Sequence, residues 1–282
     1  MQRRIIILLR ILFSVLVLML AFSLFGYFRN ERMGEDLKSL KAASEEVSPK
    51  PGEVRLEAGE AMVFRAAGGD PEGNGDRDKV ISEGEIEPEK KVLDEFAGLL
   101  EINPDLIGWL RIPDTVIDYP VVRTGDEDYY LHHDFYGQKS IYGTLFVKDI
   151  ADVETPGTNI VIYGHHMRNN SMFGGLDEYE SEEFLKSHSI IEFNTLYEER
   201  RYRVISVFRS EVLPEDSDKF RYYEFYQAES EEDFEDYYQN IKDLSEYETG
   251  VSAEYGDTFI TLSTCAYHTE NGRFVVVAKR IQ

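Results

Sequence analysis

Short apolar segments separated by turn residues recur along the C-terminal two thirds of the chain, and their spacing limits what it can fold into. In each segment β-branched, aromatic and aliphatic side chains alternate or run together over four to seven residues. The segments are residues 107–112, 116–122, 144–147, 159–163, 190–193, 202–208, 258–263 and 274–278. Strands of this length and spacing predict a mainly β fold, a closed or nearly closed eight-stranded barrel.

Three other segments have helical spacing. Apolar residues at positions 92, 93, 96, 99 and 100 predict an amphipathic helix that ends before Pro104. Two insertions between strands, residues 172–187 and 229–247, are also predicted to be helical. In the second insertion, large apolar side chains recur every three or four positions between Phe234 and Leu244, so we expect a long helix before the strand of residues 258–263.

The amino terminus contains an apolar stretch, residues 5–28, that is long enough to cross the hydrocarbon layer of a membrane. Arg3 and Arg4 precede it and favour a cytoplasmic amino terminus. We therefore expect a single-pass anchor with the rest of the chain outside the cell. The alternative is a cleaved signal peptide, but the stretch is longer than a usual signal and no Ala-x-Ala site follows it.

The chain divides into three parts by composition. Residues 1–29 form the cytoplasmic tip and membrane anchor, residues 30–87 a polar, acidic, flexible linker, and residues 88–282 the folded domain. The linker is too poor in apolar residues to fold alone. The formal net charge of −24 argues against a nucleic-acid-binding function, because phosphate binding needs concentrated Lys and Arg.

Cys265 is the single cysteine of the chain and follows a predicted strand directly. Outside the membrane cysteines usually pair in disulfides, so an unpaired one is a candidate reactive group. The alternative is a small buried apolar residue, which is the usual state of a free cysteine. The export signal and the position at a strand end favour a nucleophile.

Nucleophilic attack by a thiolate on a carbonyl needs a proton carrier and a group that holds the oxyanion. His165 follows the strand 159–163 and Gly164, which permits a sharp exit, and it is preferred to the adjacent His166 for that reason. Arg273 opens the last apolar strand, so a hairpin would bring its guanidinium near Cys265. A histidine or arginine at a strand end is often only a polar terminus, and it is their joint occurrence that favours catalysis.

Four further residues are candidates for substrate binding. Ser263 and Thr264 precede the cysteine and either line a groove or serve the strand structurally, while His166 and His268 neighbour the predicted catalytic residues. The pair His132–His133 lacks a third spaced ligand, so we expect no metal site and no cofactor.

Several motifs, taken together and in this order, resemble a known family. They are Asn103-Pro-Asp-Leu-Ile-Gly-Trp109, Asp118-Tyr-Pro-Val121, Asp128-Tyr-Tyr-Leu131, Gly143-Thr-Leu-Phe146, Tyr163-Gly-His-His166, Thr261-Leu-Ser-Thr-Cys265 and Arg273 before Val275-Val-Val-Ala-Lys279. The chain is similar over about residues 89–282 to the sortases, the cell-surface cysteine transpeptidases of Gram-positive bacteria, and within them to class B.

The resemblance implies an eight-stranded sortase barrel with amino-terminal helices and a long helix before the cysteine strand. It further implies that Cys265 attacks the Thr carbonyl of a carboxy-terminal sorting signal, that His165 moves the proton, and that Arg273 steadies substrate and oxyanion. The expected partners are surface proteins bearing such a signal and an amine of peptidoglycan precursor.

Other functions remain open at this point. A pilin-polymerising sortase would use a pilin lysine as acceptor, and a protein of another class would be a non-catalytic, membrane-anchored binding protein. A papain-like hydrolase fits less well, because it places cysteine before histidine in the chain, and a thioredoxin-like oxidoreductase is excluded because it needs a second cysteine.

Overall fold

The computed structural model describes residues 2–47, 90–126, 128–154, 156–265 and 271–282. The strands are β1 (Leu106–Arg111), β2 (Asp118–Arg123), β3 (Leu145–Val147), β4 (Asn159–Gly164), β5 (Ile190–Thr195), β6 (Arg201–Glu211), β7 (Phe259–Cys265) and β8 (Gly272–Arg280). The helices are α1 (Gln2–Val47), α2 (Asp94–Ile102), α3 (Tyr129–His132), α4 (Glu182–Ser187) and α5 (Glu231–Leu244). Two 3-10 helices lie at Phe173–Glu180 and Tyr222–Glu224.

The strands close into a barrel in the order β1-β2-β3-β4-β7-β8-β6-β5. All eight predicted strands are present, with ends that differ from the prediction by no more than three residues. Most neighbours are antiparallel, but β2–β3 and β4–β7 are parallel pairs. The prediction of a mainly β, eight-stranded barrel is confirmed.

The barrel strands are buried on both faces where helices cover their outer side. In β7 every side chain from Phe259 to Thr264 is buried, because one face fills the barrel interior and the other packs under α5. A second outer cluster joins α1 and α2 to β1, around Phe96 and Trp109. Burial of this kind explains why the strands read as nearly continuous apolar runs.

Helix α5 is the long helix predicted before the cysteine strand. The Ser230 hydroxyl accepts a hydrogen bond from the Asp233 backbone N–H and caps its start. Phe234, Tyr237 and Ile241 lie on its buried face. The predicted helix of residues 172–187 is instead divided: a 3-10 helix is followed by α4, and Ser181 between them caps α4.

The first helix corrects the predicted boundary of the linker. Helix α1 continues to Val47, so residues 30–47 are helical, whereas the sequence analysis assigned them to a flexible segment. Met33 and Leu37, four residues apart on one helix face, pack against the barrel, and Leu37 is only 1% exposed. These two apolar side chains are enough to pack an acidic segment as a helix, because the barrel provides the surface that they contact. Linker residues 48–87 lie outside the described residues.

Polar contacts support the same packing. The Lys41 ammonium lies 5.0 Å from the centre of the Trp109 ring and 3.2 Å from a Glu95 carboxylate oxygen. Lys38 forms an ion pair with Asp118 at 3.0 Å.

Among the described residues, one helix, Leu9–Ala43, is long and apolar enough to cross a membrane.

Candidate active site

The predicted site residues lie where three strands end or begin. Strands β4 and β7 are parallel and in register, with Gly164 beside Thr264, so the next residues, His165 and Cys265, follow at the same end of the barrel. Strand β8 runs back beside β7, and Arg273 is the cross-strand partner of Cys265. The Cα atoms of such partners lie about 4.5–5.5 Å apart. The backbone thus brings together three positions, of which the first and last, 165 and 273, are 108 residues apart in sequence.

Gly164 has a different role from the predicted one. Its backbone has no positive φ, so it does not provide an unusual turn. A Cβ atom at this position would instead lie under 3.0 Å from the side chains of Leu145 and Phe173. Glycine is required here because the interior is too tightly packed for a methyl group.

The His165 ring is half-buried and is held by a backbone group. Its Nε2 lies 2.7 Å from the carbonyl oxygen of Leu131, at the end of α3. Because a carbonyl oxygen only accepts hydrogen bonds, Nε2 carries a proton in this contact. Gly143 packs against the same pair: a Cβ there would lie 3.1 Å from the Leu131 oxygen and 3.2 Å from His165 Cδ2.

A buried hydrogen-bond network fixes α3 and therefore the Leu131 carbonyl. The Tyr130 hydroxyl donates to the Asp105 carboxylate at 2.8 Å and accepts from the Asn103 amide at 2.9 Å. Burial raises the pKa of Tyr130 well above its usual range, so the phenol stays protonated and can donate. The motifs at residues 103–109 and 128–131 are thus joined in space, next to His165.

The neighbouring histidines His165 and His166 differ in their hydrogen-bond partners. His166 Nε2 lies 2.6 Å from a carboxylate oxygen of Asp177, and His166 is not among the residues that line the cavity. His165 does line it. The arrangement therefore favours His165 as the ring available to a substrate.

A cavity of about 310 Å³ opens at this end of the barrel. His165, Thr264 and Arg273 lie on its wall with the largely apolar side chains of Leu131, Phe146, Tyr163, Val212, Tyr222 and Tyr223. Asp128 and Lys148 add one charge of each sign. An apolar groove with a few convergent polar groups is the usual form of a ligand-binding site.

Arg273 is half-buried, and its Nη1 donates to the backbone carbonyls of Asn271 and Gly272 at 3.2 and 2.9 Å. These bonds hold the guanidinium over its own turn, on the wall of the cavity. A planar cation fixed in this way can bind a carbonyl or an oxyanion through its remaining N–H groups.

The other predicted binding residues have structural partners. The Ser263 hydroxyl lies 2.8 Å from the Tyr222 hydroxyl, and the Thr264 hydroxyl donates to the Gly164 carbonyl at 2.8 Å, tying β7 to β4. Both residues are buried and their positions border the cavity. His268 lies outside the described residues.

No group of three His, Cys, Asp or Glu side chains in the described ranges is arranged to hold a metal ion. The sequence analysis expected no metal site at His132 and His133. The His133 ring stacks on the Tyr129 ring with 4.1 Å between their centres, and its Nδ1 lies 2.8 Å from the Tyr129 carbonyl oxygen.

The sequence analysis missed the contribution of a backbone atom and of two tyrosines. The Leu131 carbonyl has no side-chain signature, although Leu131 closes one of the quoted motifs. Tyr222 and Tyr223 lie in an isolated 3-10 turn, where no periodic pattern marks them. Their position on the cavity wall follows only from the packing of that turn on β7.

Comparison with known proteins assigns the family. The Sortase domain family matches residues 110–281, more than half of the chain. Sortase B of Listeria monocytogenes is 37% identical over 198 residues, covering 68% of this chain and 76% of that protein.

Solved structures agree. A Staphylococcus aureus sortase B–substrate complex is 30% identical with a TM-score of 0.62, covering 68% of this chain and 87% of that one. Sortase B from Bacillus anthracis in complex with AAEK1 is 32% identical with a TM-score of 0.60, covering 68% and 86%. This chain therefore belongs to the class B sortases and is a cysteine transpeptidase.

Proposed function

We propose that this sortase cleaves a carboxy-terminal sorting signal after its Thr residue and transfers the new carboxyl group to an amine of peptidoglycan precursor, anchoring surface proteins to the cell wall. The observation that carries the proposal is the meeting of β4, β7 and β8 at one groove, with His165 and Arg273 on its wall beside the Cys265 position. The substrate complex of the Staphylococcus aureus relative supports a peptide as ligand.

In the first half-reaction the Cys265 thiolate attacks the Thr carbonyl carbon, forming a C–S bond and placing an electron pair on the oxygen. Arg273 stabilises this oxyanion. The C–N bond then breaks, the leaving nitrogen takes a proton from the His165 imidazolium, and a thioester remains on the enzyme.

In the second half-reaction His165 removes a proton from the incoming amine, which attacks the thioester carbon. The C–S bond breaks and Cys265 leaves as thiolate. Since Nε2 of His165 is engaged with the Leu131 carbonyl, the proton moves through Nδ1.

The location follows from the amino terminus. The apolar helix supports a single-pass anchor with the amino terminus in the cytoplasm and the catalytic domain, residues 88–282, outside. An external enzyme with this anchor meets both surface proteins that still span the membrane and membrane-bound wall precursors.

The test uses the full chain in detergent micelles with sorting-signal peptides of the Asn-Pro-x-Thr and Leu-Pro-x-Thr-Gly kinds, carrying a fluorophore and a quencher. Cleavage that Cys265→Ala and His165→Ala abolish supports the proposal. Cleavage that survives Cys265→Ala refutes the assigned nucleophile. Adding either a peptidoglycan-stem amine or a pilin lysine, and identifying the ligated product by mass, separates wall anchoring from pilus polymerisation.

A further inference from the structure

The apolar part of α1 and the part that packs on the barrel belong to one uninterrupted helix. The apolar stretch ends at Phe28, and Leu37 is buried against the barrel nine residues later. At 1.5 Å per residue these two positions are about 14 Å apart along the axis. The barrel is therefore held close to the end of the apolar segment by the helix itself.

A barrel loop touches α1 at the end of that segment. Arg29 Nη2 donates to the Lys139 carbonyl at 2.6 Å and lies 3.7 Å from the buried Asp134 carboxylate. Burial and, next, the neighbouring Tyr27 raise the pKa of Tyr142. The loop of residues 136–142 thus lies beside the turn of α1 at residues 27–29.

This loop exposes apolar side chains where the helix leaves the hydrocarbon layer. Ile141 is 66% exposed, and Tyr136 is exposed too. On α1, Phe25 and Phe28 lie in and just before the turn of residues 27–29, and both are also exposed. Exposed Phe and aliphatic side chains are typical of surfaces that enter the boundary between headgroups and acyl chains.

Charged groups of both signs line the same place. A cleft of about 530 Å³ between α1 and the loop is lined by Arg29, Arg32, Asp36 and Asp134, with the aromatic rings of Phe25, Phe28 and Tyr136. Within the described residues, Arg32 has no ion-pair or hydrogen-bond partner, and neither has the Lys139 ammonium. Asp134 is already engaged by Arg29 and by the backbone N–H groups of Tyr136 and Gln138. Asp36 is the remaining acidic side chain on the cleft wall.

We propose that the face formed by Phe25, Phe28, Arg32, Lys139 and Ile141 binds the phospholipids of the outer leaflet. Arg32 and Lys139 contact headgroup phosphates, and Ile141 enters the interface. The headgroup layer on each side of the hydrocarbon core is about 5–8 Å thick, so the residues just after Phe28 and the loop beside them lie within it. The barrel is then seated on the membrane in one orientation. The inference depends on the membrane anchor proposed above.

The test places a fluorescent reporter on the loop. The chain has one tryptophan, Trp109, which is 2% exposed. Ile141→Trp adds a second at the proposed contact and is called the loop reporter. Tyr255→Trp adds one beside α5, outside the proposed contact face, and is called the distal reporter. The full chain is reconstituted in phosphatidylglycerol–phosphatidylcholine vesicles with acyl chains brominated near the headgroup.

We expect brominated lipid to quench the emission that the loop reporter adds, because an indole ring at the end of a spanning helix lies at the headgroup level. The emission that the distal reporter adds should be unchanged. Replacing Arg32 and Lys139 by Gln should lower the quenching of the loop reporter. The control Lys186→Gln/Lys219→Gln, with the same change of charge at exposed positions elsewhere, should not.

The same vesicles are assayed for flotation and for peptide cleavage. If the chain floats and cleaves but the loop reporter is no more quenched than the distal reporter, the seating is wrong and the anchor and the activity stand. If the chain does not float, the anchor and the seating both fail. If cleavage alone is absent, the proposed reaction fails while the seating is judged by the quenching.

Discussion

Replacing Gly143 by alanine tests whether the Leu131 carbonyl positions His165. Gly143 has a φ of 61°, in the left-handed region, and it lies between α3 and the His165 ring. An added Cβ would lie under 3.0 Å from the Tyr130 carbonyl oxygen, which accepts the Thr144 backbone N–H. Something must shift, and the atoms in contact are backbone.

The expected effect of Gly143→Ala has two parts, one on stability and one on the rate of cleavage. The left-handed conformation costs an alanine about 1–2 kcal/mol. For a domain of this size we expect a fall of about 2–8 °C in Tm. The second part is displacement of the Leu131–His165 pair. Because a misplacement of about 1 Å at a catalytic group can reduce the rate about 10²-fold, we expect a loss of that order in kcat/KM.

Gly250→Ala is the matched control. Gly250 has a φ of 74°, and no atom lies within 4 Å of where its Cβ would be. It carries the conformational cost without the collision and lies outside the cavity wall. Cleavage of a quenched sorting peptide and thermal denaturation are measured for both variants. Equal cleavage rates for Gly143→Ala and Gly250→Ala would show that the contact with Leu131 does not position His165.

Two further variants test packing around the barrel. Tyr222→Phe removes the phenol partner of the buried Ser263 hydroxyl and should lower the unfolding free energy by about 1–3 kcal/mol. In denaturant titrations, adding Ser263→Ala to this variant should recover part of the lost stability. A further loss would contradict the hydrogen bond between the two hydroxyls. Burial opposes ionisation of Glu198, but Arg200 and then Arg280 outweigh it and lower its pKa. The ionised Glu198 carboxylate stabilises the fold fully at pH values above the ordinary pKa of a glutamate. This contribution is lost as the pH falls through the lowered pKa of Glu198 in the fold. The Tm difference between parent and Glu198→Gln should be largest at neutral pH and shrink below pH 4.5, whereas a constant difference would exclude the ion pair.

Local patterns predicted the strands and α5 because the signals for them are local. Alternating β-branched residues and a serine cap are read over a few positions, and Cys265, His165 and Arg273 each adjoin such a strand. Residues 30–47 were expected to be flexible but are helical, because the packing of Met33 and Leu37 depends on a partner surface that the local sequence does not show.

The sequence alone determined the barrel class, the apolar amino-terminal segment and the positions of the three candidate catalytic residues, since each depends on side-chain type and spacing along the chain. Only the tertiary structure decided how His165 is held. Its partner is a backbone oxygen 34 residues away, fixed by a buried tyrosine and admitted by a glycine with positive φ. Contacts through backbone atoms leave no mark on residue type, so they emerge only when distant segments pack.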